Sequence, residues 1–255
     1  MNSLKTVGLL AFMTALLFWL AYALGAGIWV AIGIAVVFNL IAYFFSDKIA
    51  LATTRAQPVT EQELPQVYSI VRRLTTATNM PMPKIYVINS PQPNAFATGR
   101  NPDNAAVAVT TGILEVLSNE ELQGVLAHEL AHVRNRDILI SSIAAMLGAA
   151  ISIVARMAFF TGGSDSRNNP LGAIGAVLSL IVAPLAAMLI RFAISRTREF
   201  QADASGAEIT GQPLHLARAL EKIAAGAERI PMRVNPATSQ LFIENPLKAF
   251  RGGGI

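Results

Sequence analysis

Four stretches, at about 4–24, 28–45, 138–160 and 171–194, are apolar enough and long enough to cross roughly 30 Å of hydrocarbon as helices. Nothing else in the chain restricts its fold as much, because a segment in lipid must satisfy every backbone polar group internally. Lys5, Arg156 and Arg191 sit near span ends, where their charges reach the headgroups. The first stretch has the short basic start of a cleavable leader. Its apolar core is too long for one, however, and a second stretch follows directly after Gly25-Ala26-Gly27. Apolar residues make up 53% of the 255 and charged residues 14%, against about 25% charged in an ordinary soluble domain. A water-soluble globule, a disordered chain and a nucleic-acid binder are thereby disfavoured.

The net charge of 20 − 16 = +4 reflects basic residues gathered at the span ends. Lys5, Lys48, Arg55, Arg134, Arg136, Arg196 and Arg198 fall on one side, and Arg156 and Arg167 on the other. The positive-inside rule then places both termini and the long segment 46–137 in the cytoplasm. Pro184 is expected to kink the fourth span, and Gly172 and Ala176 offer small contact residues.

Outside the spans, Thr60 with Glu63 reads as a capping box opening a helix through Leu64, Val67, Val71 and Leu74. Lys84–Ile88, Asn94–Thr98 and Ala106–Val109 read as strands. Ser118 with Glu121 reads as a second capping box, opening a helix through Val133. Two more helices are expected at Thr197–Ile209 and Leu214–Ala225, with a flexible Gly252-Gly253-Gly254 end.

The second capped helix contains His128-Glu129-Leu130-Ala131-His132. The i, i+4 spacing puts two imidazoles one turn apart on one face, where both can bind one zinc ion. Glu129 lies beside that face and can take a proton from a metal-activated water. The chain has no cysteine, so a third ligand must be another histidine or a carboxylate. Glu199 is the best candidate, with Asp203 one turn later placed to accept the outer N–H of a ligand histidine. Two crossings separate the ligands in sequence, and an even number returns the chain to the same side. His132 and Glu199 each lie a few residues from a span end, roughly 8–9 Å above the boundary at about 1.5 Å per residue. The plainer readings are two ordinary helix histidines, a Glu199 paired with Arg196 or Arg198, and an Asp203 on a helix surface. His215 has no acid at ligand spacing and reads as simply exposed.

These features together resemble the HtpX family of bacterial membrane zinc metalloproteases, relatives of the CAAX prenyl protease. The similarity is carried by Asn94-Ala95-Phe96-Ala97-Thr98-Gly99, by 126–137, by the paired spans, and by Ser195-Arg196-Thr197-Arg198-Glu199-Phe200-Gln201-Ala202-Asp203. The resemblance implies one zinc ion per chain held by His128, His132 and Glu199, with Glu129 as general base. It also implies that an edge strand around Asn94, Ala95, Phe96 and Ala97 holds an extended substrate; the plainer reading is a core strand.

The implied fold is α+β: a mainly helical zincin-like (gluzincin) metalloprotease domain with a small β-sheet on a four-helix transmembrane base. Residues 1–45 and 138–194 would form membrane hairpins. Residues 46–137 and 195–255 would form the two parts of a cytoplasmic catalytic domain. The implied setting is the bacterial inner membrane, with misfolded or damaged membrane proteins as polypeptide substrates, often under stress, and no nucleic acid. Family members usually continue past the region matching 241–247 into a Thr-His-Pro-like segment, whose histidine is a candidate oxyanion stabiliser. This sequence holds no such histidine, so zinc binding is expected to survive, while full activity requires a substitute such as Arg198 or a backbone N–H. The competing readings are a non-catalytic zinc-binding membrane scaffold and, with little support, a small transporter.

Overall fold

The computed structural model describes residues 27–146, 196–232, 234 and 238–247, with scattered positions between 7 and 22. The fourth apolar stretch, most of the first and third, and the C-terminal glycines lie outside these residues. The second stretch forms α1, Ile28–Thr53. Among the described residues it is the one helix long and apolar enough to cross a membrane. Bulky side chains such as Trp29, Val30 and Val37 are exposed on it, while Ala31, Ala35, Ala42, Ser46 and Ala50 are buried. Small residues at these spacings make a face that neighbouring helices can approach closely. Asn39 donates from Nδ2 to Thr14 Oγ1 at 2.9 Å, linking α1 to the first stretch.

At about 1.5 Å per residue, α1 outreaches a bilayer core of about 30 Å, and it continues past the apolar stretch that ends near Phe45. Its last turns seat on the sheet: Ala50 and Leu51 join Ile88, Phe96, Ala106, Ala108 and Phe242 in one apolar cluster. The sheet has the order β1-β2-β4-β3, from β1 (Gln57–Pro58), β2 (Lys84–Ile88), β3 (Ala95–Gly99) and β4 (Ala105–Thr110). β2 pairs parallel with β4 from Lys84↔Ala106 to Ile88↔Thr110. β3 pairs antiparallel with β4 from Ala95↔Val109 to Gly99↔Ala105. β3 is therefore an edge strand of this sheet.

The opposite face of the sheet is covered by helices. α2 (Pro65–Ala77) contributes Val67, Ile70, Val71 and Leu74, and α4 (Asn119–Arg134) contributes Leu122, Val125, Leu126 and Leu130. The short α3 (Thr111–Val116) follows β4 directly, capped by the Thr110 side chain. α5 (Arg196–Thr210) ends before Gly211, whose φ of 65° suits glycine. α6 (Pro213–Arg229) completes the layer through Leu216, Ala219 and Ile223. Two expectations are corrected. Thr60 and Glu63 do bond, N–H to Oε2 at 2.6 Å, but they close a turn ahead of the helix. α2 begins at Pro65, whose fixed φ and missing N–H suit a first helical position. His215, expected to be exposed, is half-buried at the start of α6.

Candidate metal centre and its cleft

The Ser118 side chain accepts from the Glu121 N–H and Glu121 returns the contact, so α4 starts with a complete capping box. No proline interrupts α4, and the His128 and His132 rings meet edge to face one turn apart, with centroids 4.7 Å apart. α5 packs across this turn. Glu199, Ala202, Asp203 and Gly206 share one helical face; Ala202 is fully buried. A Cβ on Gly206 would lie 3.2 Å from the His128 backbone nitrogen and 3.3 Å from its Cα. The missing side chain is what lets the helices approach closely enough for the carboxylates to reach the imidazoles. Gly206→Leu should wedge α5 away and lower zinc affinity by at least tenfold without replacing a ligand. Metal titration, alongside circular dichroism to verify folding, measures this.

His128 Nε2 and His132 Nε2 are 3.1 Å apart, and each lies 3.6 Å from Glu199 Oε2. Ligands about 2.0–2.1 Å from a tetrahedral ion stand roughly 3.3 Å from one another, so the triangle fits a zinc ion. The outer nitrogens support the fit. His128 Nδ1 faces Asp203 Oδ1 at 2.9 Å, and His132 Nδ1 faces Asp137 Oδ2 at 3.2 Å. In the metal-binding tautomer the Nδ1–H groups face these carboxylates and leave both Nε2 lone pairs for the shared centre.

The electrostatics favour a cation there. Burial opposes charging His128, but Asp203 and Glu199 outweigh it and raise its pKa to about 9. Burial likewise opposes charging His132, and Asp137 and Glu199 raise it to about 10. Glu199, despite some burial, is held well below the usual carboxylate range by the two imidazoles. Glu129 is different: burial pushes it up to about 7, against the lowering influence of the histidines and the Ala97 N–H. That N–H donates to Glu129 Oε2 at 2.7 Å.

The centre opens onto a cleft of about 280 Å³ whose lining also includes Ser239, Gln240, Leu241, Phe242, Ile243 and Asn245. The strand residues Asn94–Ala97 divide between two tasks. Ile243 N–H donates to Ala95 O at 3.0 Å. Asn94 Nδ2 donates to Glu244 O at 2.7 Å while its Oδ1 accepts the Glu244 N–H at 3.3 Å. Phe96 is buried edge-on against Phe242, and Ala97 faces the cleft beside Glu129. The beginning of β3 thus carries the chain's own segment, and its middle meets the centre. Arg198 is buried with its charge near Asp137 and Glu199.

Sequence reasoning missed Asp137 and the 239–245 wall. Asp137 lies beyond the end of α4, past Arg136 in the left-handed region at φ 56°, so helical spacing does not point to it. An acid five residues after the second histidine was the available signal. Asp137→Asn should weaken zinc binding by about 10–100-fold, the usual cost of losing such a support, measured by competition with a chromophoric chelator.

Residues 61–250 match peptidase family M48. Over 252 residues the chain is 51% identical to a Protease HtpX homolog of Syntrophobacter fumaroxidans, covering 95% of this chain and 89% of that protein. The solved structure of S. mikatae Ste24p is similar in fold, with a TM-score of 0.51 and 21% identity. The similarity covers 94% of this chain and 61% of that one. The mostly helical body with a small mixed sheet described above is the M48 metalloprotease fold. On the family match and the long similarity to the HtpX homolog, the chain belongs to peptidase family M48 and is a metalloprotease.

Proposed function

We propose that the chain is an integral membrane endopeptidase that holds one zinc ion per chain on His128, His132 and Glu199. It cleaves misfolded or damaged membrane proteins at the cytoplasmic face of a bacterial inner membrane. The observation that carries this reading is the triangle of two imidazoles and one carboxylate, with buried Glu129 beside it on an open cleft. Zinc, when bound, supplies Lewis acidity to a water and to the scissile carbonyl. The chain's own groups do the rest. The Ala97 N–H fixes Glu129 through Oε2, leaving Oε1 to take the water proton and return it to the leaving amine. Asp203 and Asp137 hold the imidazoles in one tautomer and orientation.

In this reading residues 1–45 and 138–194 are membrane hairpins, and 46–137 and 195–255 build the catalytic body between bilayer and cytoplasm. Support comes from the aromatic and basic groups at the end of α1. Arg100, in the turn after β3, lies over the Phe44 ring at 5.3 Å, and Lys48 lies over Phe45 at 5.1 Å. Basic groups gather near span ends, which supports a position for the end of β3 close to the membrane boundary. A site there suits cleavage of segments next to the membrane. The full chain, purified in detergent, should contain one zinc and cleave casein. A chelator should abolish cleavage, and added zinc should restore it. Stoichiometric zinc with no turnover on any unfolded protein would refute the reading.

A further inference from the structure

The segment facing the metal centre across the cleft is fastened with more care than a loose tail needs. Gln92, fully buried, donates from Nε2 to Ile230 O at 2.6 Å and to Pro246 O at 3.1 Å. Asn94, also fully buried, clasps the Glu244 peptide from both sides. Phe242 is buried against Phe96, with ring centroids 5.0 Å apart. The Ile243 N–H bonds Ala95 O, and the Glu244 contacts fall one residue earlier on the strand, so the segment runs antiparallel to β3. It therefore lies along the start of the edge strand β3 through one main-chain bond and leaves the middle of the strand to the cleft. Leu241 and Ile243 line that cleft together with Glu129 and the imidazoles.

We propose that Leu241 and Ile243 form the wall that selects the substrate side chain next to the scissile bond, and that this wall favours an apolar side chain. Asn94 and Gln92 are positioning residues that hold the wall in place. The proposal rests on the peptidase reading above and adds to it a specificity. The physical basis is the character of the lining. Among the described residues, every acid on the cleft belongs to the metal-centre side, where Glu199 and Asp137 face imidazoles and Glu129 holds the Ala97 N–H. The wall itself offers Leu241, Phe242 and Ile243, with Ser239, Gln240 and Asn245 as its neutral polar groups. An acidic side chain pressed on this wall would lose its water without gaining an opposite charge from it, whereas an apolar one gains by leaving water.

The test uses the full zinc-loaded chain in detergent and N-acetyl amino-acid hydroxamates bearing Ala, Leu, Phe or Asp side chains. Affinities are read by calorimetry, and cleavage sites in casein by mass spectrometry. Wild type should bind the Leu or Phe probe at least tenfold more tightly than the Asp probe. Ile243→Ala should shift preference toward the larger side chain, and Ile243→Phe toward the smaller, each by about tenfold per methylene-sized change. Zinc content should stay at one throughout. Asn94→Ala should flatten the preference and raise KM more than it lowers kcat. Identical probe preferences in wild type and both Ile243 variants would overturn the proposal, even if casein is cleaved. Absent casein cleavage with the opposed shifts intact would instead count against the peptidase reading alone.

Discussion

Glu129→Gln should retain one zinc per chain and lose about 10²–10⁴-fold in turnover, the span that a positioned general base contributes. The substitution separates chemistry from structure because of where the carboxylate sits. Glu129 is buried, and burial holds its pKa near 7. An uncharged amide of the same shape therefore removes a buried ionisable group without opening a cavity. The amide oxygen can still accept the Ala97 N–H that now bonds Oε2 at 2.7 Å. What is lost is the second oxygen as a proton acceptor. Thermal stability should be equal or slightly higher, and zinc content by elemental analysis unchanged. Cleavage of unfolded casein at the wild-type rate would remove Glu129 from the reaction.

Glu199→Ala should have an effect of a different kind: the metal leaves. Two imidazoles 3.1 Å apart can still touch an ion, but the anionic ligand that balances its charge is gone. The loss should exceed the about 10–100-fold typical of a supporting contact. The effect on folding should be small, because the Glu199 side chain is 52% exposed and Ala202 and Gly206 make the close contact with α4. Glu199 also helps raise both histidine pKa values. Its removal should therefore let the metal-free imidazoles lose protons at lower pH, visible by NMR titration of the histidine ring protons. Dialysed variant protein should contain little zinc. Cleavage should reappear, if at all, only at a large excess of added metal.

The sequence made the centre legible because its parts obey local rules. Ser118 and Glu121 announce α4, and i, i+4 spacing puts His128 and His132 on one face. Glu199 and Asp203 repeat that spacing on α5, and the structure brings all four together. The strand at Lys84–Ile88 begins and ends where β-branched and aromatic residues predict. Legibility failed where a feature depends on distant partners. Thr60 and Glu63 satisfy the capping-box pattern, yet Pro65 decides where the helix starts. Asp137 reaches His132 only because the chain doubles back after α4 through Arg136. The 241–246 segment carries no local sign that Gln92 and Asn94, some 150 residues earlier, will fasten it beside β3. α1 runs to Thr53 because its last turns bury Ala50 and Leu51 against the sheet, a contact that hydropathy alone does not foresee.

Anomalous diffraction at the zinc edge from crystals of the full chain tests most directly whether α4 and α5 close one metal centre. A single peak about 2.0–2.2 Å from His128 Nε2, His132 Nε2 and a Glu199 oxygen is the expected result. A peak held by the histidines with Glu199 turned away, or zinc bound elsewhere in the chain, would contradict it.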